Sequence, residues 1–377
     1  MSYIEKLLDE AEVEWKSLGE VAELKRGRTI TAKNKTNGNI PVISGGQKPA
    51  YYNGDYNRDG ETITIAGSGA YAGYIMYWNI PIFISDSFSV KPNLTILNTK
   101  YIFHYLLNNQ SWIYSLKKGS GVPHVYPKDL AKLPIPIPCP ENPEKSLKIQ
   151  REIVRILDTF TELTAELTAE LTARKKQYTY YRDQLLSFKD DEVEWKSLGE
   201  ILIRTKGTKI TAGRMKKLNK NDAPLKIFAG GKTVAFVNFE DIPNNNINYD
   251  ESIIVKSRGV IEFEYYDKPF SHKSEMWSYH SNSDNINIKF IYYSLKINEP
   301  YFQNIASRMQ MPQISISDTE KFQIPIPPIE EQKRIVRILD KFDTLTNSIS
   351  EGLPKEIELR KKQYEYYRDM LLTFPKE

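Results

Sequence analysis

Four histidines, one cysteine and two glycine-flanked sets of basic and amide side chains are the residues in this chain with chemistry to offer. His104, His124, His272 and His280 are scattered, without metal-ligand spacing or a cysteine partner. No GxxxxGK[ST], no GxGxxG after a strand and no HExxH occurs. An adenine methyltransferase would need an Asn-Pro-Pro-Tyr-like motif and a cofactor loop, and neither is present. The carboxylates form no recognisable pair. The chain therefore reads as non-catalytic, with no metal site.

Binding is better represented. Ser44-Gly-Gly-Gln-Lys48 and Gly67-Ser-Gly69 are backbone turns that either bring the main chain close to a nucleic acid or only supply positive φ. Lys48, Arg58, Lys91, Lys117, Lys118 and Lys128 suit phosphates, while Gln47, Ser68 and His124 suit base edges. Tyr51, Tyr52, Tyr71 and Tyr74 suit a polar interface or a strand core. Further along, Lys232, Lys256, Arg258, Lys273, Arg308, Gln310 and Gln313 are comparable. The candidate DNA-contacting set is Gln47, Lys48, Ser68, Tyr71, Lys118, His124, Lys128, Lys232, Arg258, Lys273, Arg308, Gln310 and Gln313. Each of these is also an ordinary solvated side chain.

The net charge of +4 is unevenly divided. Val21 to Pro138 holds 13 Lys+Arg against 6 Asp+Glu, and Ile201 to Pro327 holds 17 against 13. The remainder holds 22 against 29, so basic charge belongs to two globular segments. Such a surface is a modest electrostatic footprint for phosphate. Cys139 is the single cysteine, which suits a reducing compartment. The charged N-terminus reads as no signal peptide, and no apolar run approaches the roughly 20 residues of a membrane span. A cytoplasmic location is expected, with no membrane association.

What positions these residues is a tandem repeat. Glu12-Val-Glu-Trp-Lys-Ser-Leu-Gly-Glu20 recurs identically as Glu192 to Glu200. Gly27 matches Gly207, Gly45-Gly46 matches Gly230-Gly231, Gly69 matches Gly259 and Pro123 matches Pro312. The offset drifts between 180 and 190, as expected of two diverged copies with loop insertions. Strands are predicted at Ile40 to Ser44, Glu61 to Ala66, Tyr74 to Trp78 and Ile80 to Ser85. Helices are predicted at Lys100 to Leu116 and Ile288 to Ile305. The Pro-rich segments Leu133 to Pro143 and Ile324 to Pro328 cannot be helical inside and read as exit straps.

Each globular segment leads into a long helix. From Lys145 to Phe188 there is no Gly or Pro, and Ile153, Ile156, Phe160, Leu163, Leu167, Leu171, Tyr178, Tyr181 and Leu185 form a stripe. About 44 residues would span roughly 66 Å, a rod too narrow to bury that stripe alone. A second copy supplies a partner. Arg151-Glu-Ile-Val-Arg-Ile-Leu-Asp158 returns as Lys333-Arg-Ile-Val-Arg-Ile-Leu-Asp340, and Arg174 to Asp183 returns as Arg360 to Asp369. The two are expected to pack as an antiparallel coiled coil. Gly352 and Pro354 predict a kink or restart in the second.

The repeat, the straps and the two RKKQY…YYRD helices together resemble the specificity (S) subunit of type I restriction–modification enzymes, most closely the type IC group. The motifs are Val13-Glu-Trp15, Arg334 to Asp340, Gly352-Leu-Pro354, Arg360 to Asp369 and the repeated Leu-Thr-Ala-Glu of Glu162 to Ala173. The expected class is α+β. Two tandem β-rich α/β target recognition domains are joined by two long antiparallel coiled-coil helices in a pseudo-two-fold arrangement. The divisions expected are 1–144, 145–188, 189–328 and 329–377. The resemblance implies a non-catalytic subunit binding a bipartite asymmetric double-stranded DNA target. It implies docking of two methyltransferase (M) and two restriction (R) subunits, to which S-adenosylmethionine, ATP and Mg would belong. It also implies a spacer ruler marked by Glu162, Leu163, Leu167 and Leu171, one base pair per repeat. Each repeat adds about 6 Å of helix, against about 3.4 Å per base pair. The rival readings are a stand-alone pseudo-dimeric DNA-binding regulator and a coiled-coil spacer.

Overall fold

The computed structural model describes residues 12–34, 36–306 and 312–374. The first half runs β1 (Val13–Ser17), α1 (Leu18–Val21), β2 (Ala22–Arg26), β3 (Ile40–Ile43), β4 (Tyr51–Asn53), β5 (Thr62–Ala66), β6 (Ile75–Trp78), β7 (Phe83–Ile84) and β8 (Ser87–Pro92). It continues with α2 (Thr99–Asn108), α3 (Gln110–Ser115), α4 (Pro127–Leu130), β9 (Pro134–Pro138) and the long α5 (Pro143–Leu185). The second half repeats this order: β10 (Glu194–Ser197), α6 (Leu198–Ile201), β11 (Ile203–Thr205), α7 (Ala212–Leu218), β12 (Leu225–Phe228), β13 (Val234–Val237), β14 (Ser252–Lys256) and β15 (Glu262–Tyr266). After them come β16 (Phe270–His272), β17 (Trp277–His280), α8 (Ile288–Ile297), α9 (Glu299–Ala306), α10 (Ile316–Glu320), β18 (Gln323–Ile326), α11 (Ile329–Asn347) and α12 (Gly352–Leu372).

The chain divides into two units, residues 1–169 with 356–377, and residues 170–355. Each holds the same three sheets. In unit 1 a four-stranded antiparallel sheet has the order β2-β8-β5-β6, and a three-stranded sheet has the order β4-β3-β7 with β3 and β7 parallel. Unit 2 has β11-β17-β14-β15 and β13-β12-β16, again with one parallel pair. The duplication read from scattered glycines thus extends to strand order and direction.

The third sheet shows what the exit straps are. The Pro-rich straps are strands: β9 pairs antiparallel with β1, and β18 with β10. Cys139 N–H donates to the Glu12 carbonyl and Leu18 N–H to the Leu133 carbonyl, so odd-numbered residues of the strap face β1. Pro134, Pro136 and Pro138 therefore turn their missing donors to the outer edge, where a strand tolerates proline. The identical lead-ins then turn into α1 and α6, where Ser17 with Glu20 and Ser197 with Glu200 form capping boxes.

The helices predicted at Lys100 to Leu116 and Ile288 to Ile305 are each two helices, broken at Asn109 and Asn298. There the asparagine amide donates to the carbonyl four residues back, Tyr105 at 2.9 Å and Ser294 at 2.7 Å, competing with the helical ladder. The expected strand at Ile80 to Ser85 shrinks to Phe83–Ile84.

The long helix is unbroken over 43 residues and opens on Pro143, whose missing N–H costs nothing in a first turn. Its start is clamped in unit 1 by buried Ile149, Ile153, Val154 and Leu157, in one core with Leu371 and Leu372 of α12. In unit 2, Ile335, Val336 and Leu339 of α11 are buried in one core with Leu186. Along α5 the aromatic partners descend in number as α5 ascends, Phe160 stacking on Tyr367 within unit 1 and Tyr181 on Phe342 within unit 2. That is the order of antiparallel pairing. The second helix is interrupted as Gly352 and Pro354 predict: α11 ends at Asn347 and α12 begins at Gly352, whose φ is +76°.

Candidate nucleic-acid interface

In unit 1 the backbone draws three candidates together. Gly69 N–H donates to the Pro123 carbonyl and Val125 N–H to the Gly67 carbonyl, which sets Ser68 opposite His124. Lys118 and His124 exchange both of their backbone hydrogen bonds, at 2.9 and 2.8 Å. The His124 ring stacks on Tyr126 at 6.0 Å, and Arg26 and Lys128 lie over that same tyrosine at 5.5 and 6.0 Å. A cavity of about 200 Å³ is lined by Arg26, Gly27, Ser68, His124 and Tyr126. The Gly45–Lys48 loop joins this edge: a Cβ on Gly45 would lie 2.4 Å from the Ser68 carbonyl oxygen. Gln47, Lys48 and Tyr71 are exposed. Lys118 is tethered to Asp129 at 2.7 Å, and that hydrogen bond holds the Asp129 carboxyl below its usual range.

Unit 2 repeats the frame with other side chains. Gly259 N–H donates to the Pro312 carbonyl and Ile314 N–H to the Ser257 carbonyl, which sets Arg258 opposite Gln313. A cleft of about 340 Å³ is lined by Gly230, Gly231, Lys232, Arg258 and Val260. Lys232, Arg258 and Gln313 are exposed, while Lys273 is paired with Glu275 at 2.5 Å. Arg308 and Gln310 lie outside the described residues.

Some basic residues serve the fold. Arg58 donates from Nε to Ser89 at 2.9 Å and from its other nitrogens to the Asn57, Lys25 and Arg26 carbonyls. Lys256 is enclosed by Glu262 and Glu264 at 3.3 and 2.9 Å. Buried His272 lies beside Ser278 and the Lys273 carbonyl, and burial lowers its pKa, so it is a neutral core residue. His104 is buried against Asp158 at 2.9 Å and Tyr364 at 3.0 Å. Among the described residues no cluster of His, Cys, Asp and Glu could hold a metal.

Sequence reading missed the basic loops around the first repeated glycine. Gly27 lies between Arg26 and Arg28, and Gly207 is flanked by Lys206 and, two positions on, Lys209. A Cβ on Gly27 would lie 2.4 Å from both the Ile84 and Ser85 carbonyl oxygens, and one on Gly207 would lie 2.4 Å from that of Lys273. The loops are thus pressed onto the sheet with their cations outward. In unit 2, Lys206, Lys209, Arg214 and Asn246 line a cavity of about 380 Å³. The repeated glycine was visible in the sequence, and the charge beside it was the signal to follow. The ruler residues lie on α5, with Glu162 exposed and Leu163, Leu167 and Leu171 half-buried.

The chain carries two copies of one domain, each presenting polar and basic side chains around the same pair of joined turns. It belongs to the type I restriction–modification DNA specificity family, whose domain matches residues 10–174 and again 190–359. The EcoR124I/EcoR124II specificity subunit of Escherichia coli is 37% identical over 429 residues, covering 100% of this chain and 98% of the relative. The EcoprrI specificity subunit of Escherichia coli is 33% identical, covering 93% and 92%. In fold the chain matches the S subunit from M. genitalium, with a TM-score of 0.68, 18% identity and 100% of both chains covered. A solved chain of the type I R-M system matches with a TM-score of 0.55, 16% identity and 97% and 98% coverage. The sequence resemblance is thereby confirmed. This is a type I specificity subunit with two tandem DNA-specificity domains, a non-catalytic component of its system. Among the described residues no helix is long and apolar enough to cross a membrane.

Proposed function

We propose that this subunit reads a bipartite, asymmetric duplex target, one half with each recognition domain (residues 1–144 and 189–328). The helical segments 145–188 and 329–377 set the unread gap, in a pseudo-two-fold arrangement suited to two separated half-sites. The observation that carries this reading is the pair of matched turns. One backbone frame presents Ser68 and His124 in one unit and Arg258 and Gln313 in the other. A duplicated frame with unlike side chains suits two unlike half-sites. The basic loops at Gly27 and Gly207, with Lys48, Lys128 and Lys232, would hold phosphates and fix register.

In this reading two M subunits dock on the helices and supply S-adenosylmethionine for adenine methylation. Two R subunits add ATP- and Mg-dependent cleavage, and the assembly works in the cytoplasm. The ELTA repeats at Glu162, Leu163, Leu167 and Leu171 act as the ruler. Mapping methylated adenines across the genome, with and without the gene, tests this. A two-part motif with a fixed gap should vanish on deletion, and removing one ELTA copy should shorten the gap by one base pair. An unchanged map would overturn the reading.

A further inference from the structure

The geometry points to Arg258 and Gln313 as a two-residue reading head in unit 2, selecting a guanine and an adjacent adenine. This rests on the DNA-reading function proposed above.

The bonds that join these turns flank the pair: Gly259 donates to Pro312 and Ile314 to Ser257. Arg258 and Gln313 are therefore a non-hydrogen-bonded antiparallel pair, the kind whose Cα atoms approach to about 4.5 Å and whose side chains leave on one face. Both are exposed, and among the described residues neither side chain has a hydrogen-bond or ion-pair partner. The acids near Arg258 are already taken: Glu275, which feels its charge, is paired with Lys273, and Glu262, which lines the same cleft, with Lys256. The guanidinium is thus available to an outside ligand.

The chemistry of the pair then narrows that ligand. A guanidinium fork matches O6 and N7 of guanine, and a glutamine amide matches N6 and N7 of adenine, both on the major-groove edge. Two such groups held on neighbouring positions of one face address neighbouring base pairs. The matched pair in unit 1 makes a useful contrast. Nδ1 of His124 lies 2.7 Å from the Val122 carbonyl, so in the neutral ring it carries the hydrogen and Nε2 is left as an acceptor. Beside Ser68, that acceptor suits an exocyclic amine on cytosine or adenine, and cannot reproduce the fork.

The test replaces the gene in its own cells with R258K, Q313A or S68A and maps methylated adenines. R258K keeps the charge but loses the fork. It should make one G·C position of a single half-site degenerate, lowering discrimination there roughly ten- to a hundredfold. Q313A should relax an A·T position next to it, in the same half-site. S68A should alter only the other half. If R258K weakens methylation at all sites with the motif unchanged, or abolishes it, Arg258 is a general DNA contact and the assignment fails. It also fails if R258K and Q313A act on different halves. If the unmodified gene governs no motif at all, the function proposed above falls and takes this inference with it.

Discussion

Unit 1 and unit 2 are two solutions on one frame, and they differ in a patterned way. Where the chain must fold, the side chains repeat. Gln150 and Gln332 are both fully buried, each accepting from a helix N-cap asparagine, Asn98 at 2.8 Å or Asn287 at 2.9 Å, and donating to nearby carbonyls. Asp158 binds Lys100, and Asp340 binds Lys289. Where the frame faces outward, Ser68 becomes Arg258, His124 becomes Gln313 and Gln47 becomes Lys232. At the helix dock the second partner of the aspartate differs: Asp158 is bonded by His104, Asp340 by Tyr293. A duplication serves as its own control, separating what the fold needs from what is free to vary.

The strongest way to break this equivalence is through the helix dock. Ile153→Ala and Ile335→Ala each empty a fully buried site and should each cost about 3–4 kcal/mol in denaturant unfolding. If one is tolerated, the two docks are not equivalent. Gly27→Ala and Gly207→Ala come next. Each forces a methyl group into backbone carbonyl oxygens and should cost about 3 kcal/mol, read by thermal unfolding. Gly352→Ala tests a feature that only the second helix has. With φ at +76° and a Cβ placed 2.4 Å from the Thr344 carbonyl oxygen, it should cost about 2 kcal/mol.

Asp158→Asn sharpens the comparison in pH. Burial opposes ionisation of Asp158, but hydrogen bonds from His104 and Lys100 outweigh it and hold the carboxyl below its ordinary value of 3.8. A depressed carboxylate stabilises the fold above the unfolded-state value and loses that contribution as pH falls through the folded one. The wild-type advantage over Asp158→Asn should be about 1 kcal/mol at neutral pH and shrink below about pH 4. An advantage that grows on acidification would contradict it. The double exchange Ser68→Arg with His124→Gln, at two half-buried positions, should cost no more than about 1 kcal/mol. Yet it should move the first half-site toward the base preference of the second, seen in the methylation map.

Much of the frame was legible because its signals are local or repeated. The nine-residue lead-in, the matched glycines and the RIVRILD helices mark the same positions in each copy. The break before Gly352 was legible because glycine and proline act on their own backbone. The straps were legible as non-helical exits, but their strand pairing was not, because it depends on a partner over 100 residues away. The split of α2 from α3 was missed because an asparagine amide reaching back to Tyr105 leaves no periodic trace. In the candidate site, pairing Ser68 with His124 needed the sheet register. Setting aside Arg58 and Lys256 needed their internal partners. Spacing alone reports neither.

The proline straps also bear on how such a chain can change. Each recognition segment enters along β1 or β10 and leaves along β9 or β18, so its two ends lie side by side in one two-stranded clasp. A segment closed at the neck in this way keeps its two ends together whatever lies between them, and it docks on the helix that follows through Lys100 and Asp158 or Lys289 and Asp340. The loops between clasp strands can therefore lengthen, as the rise of the repeat offset from 180 at the lead-in to 189 at the straps records, with the two ends still paired. On this geometry the two clasps are the same joint built twice, fixing where each segment begins and ends whatever its loops contain.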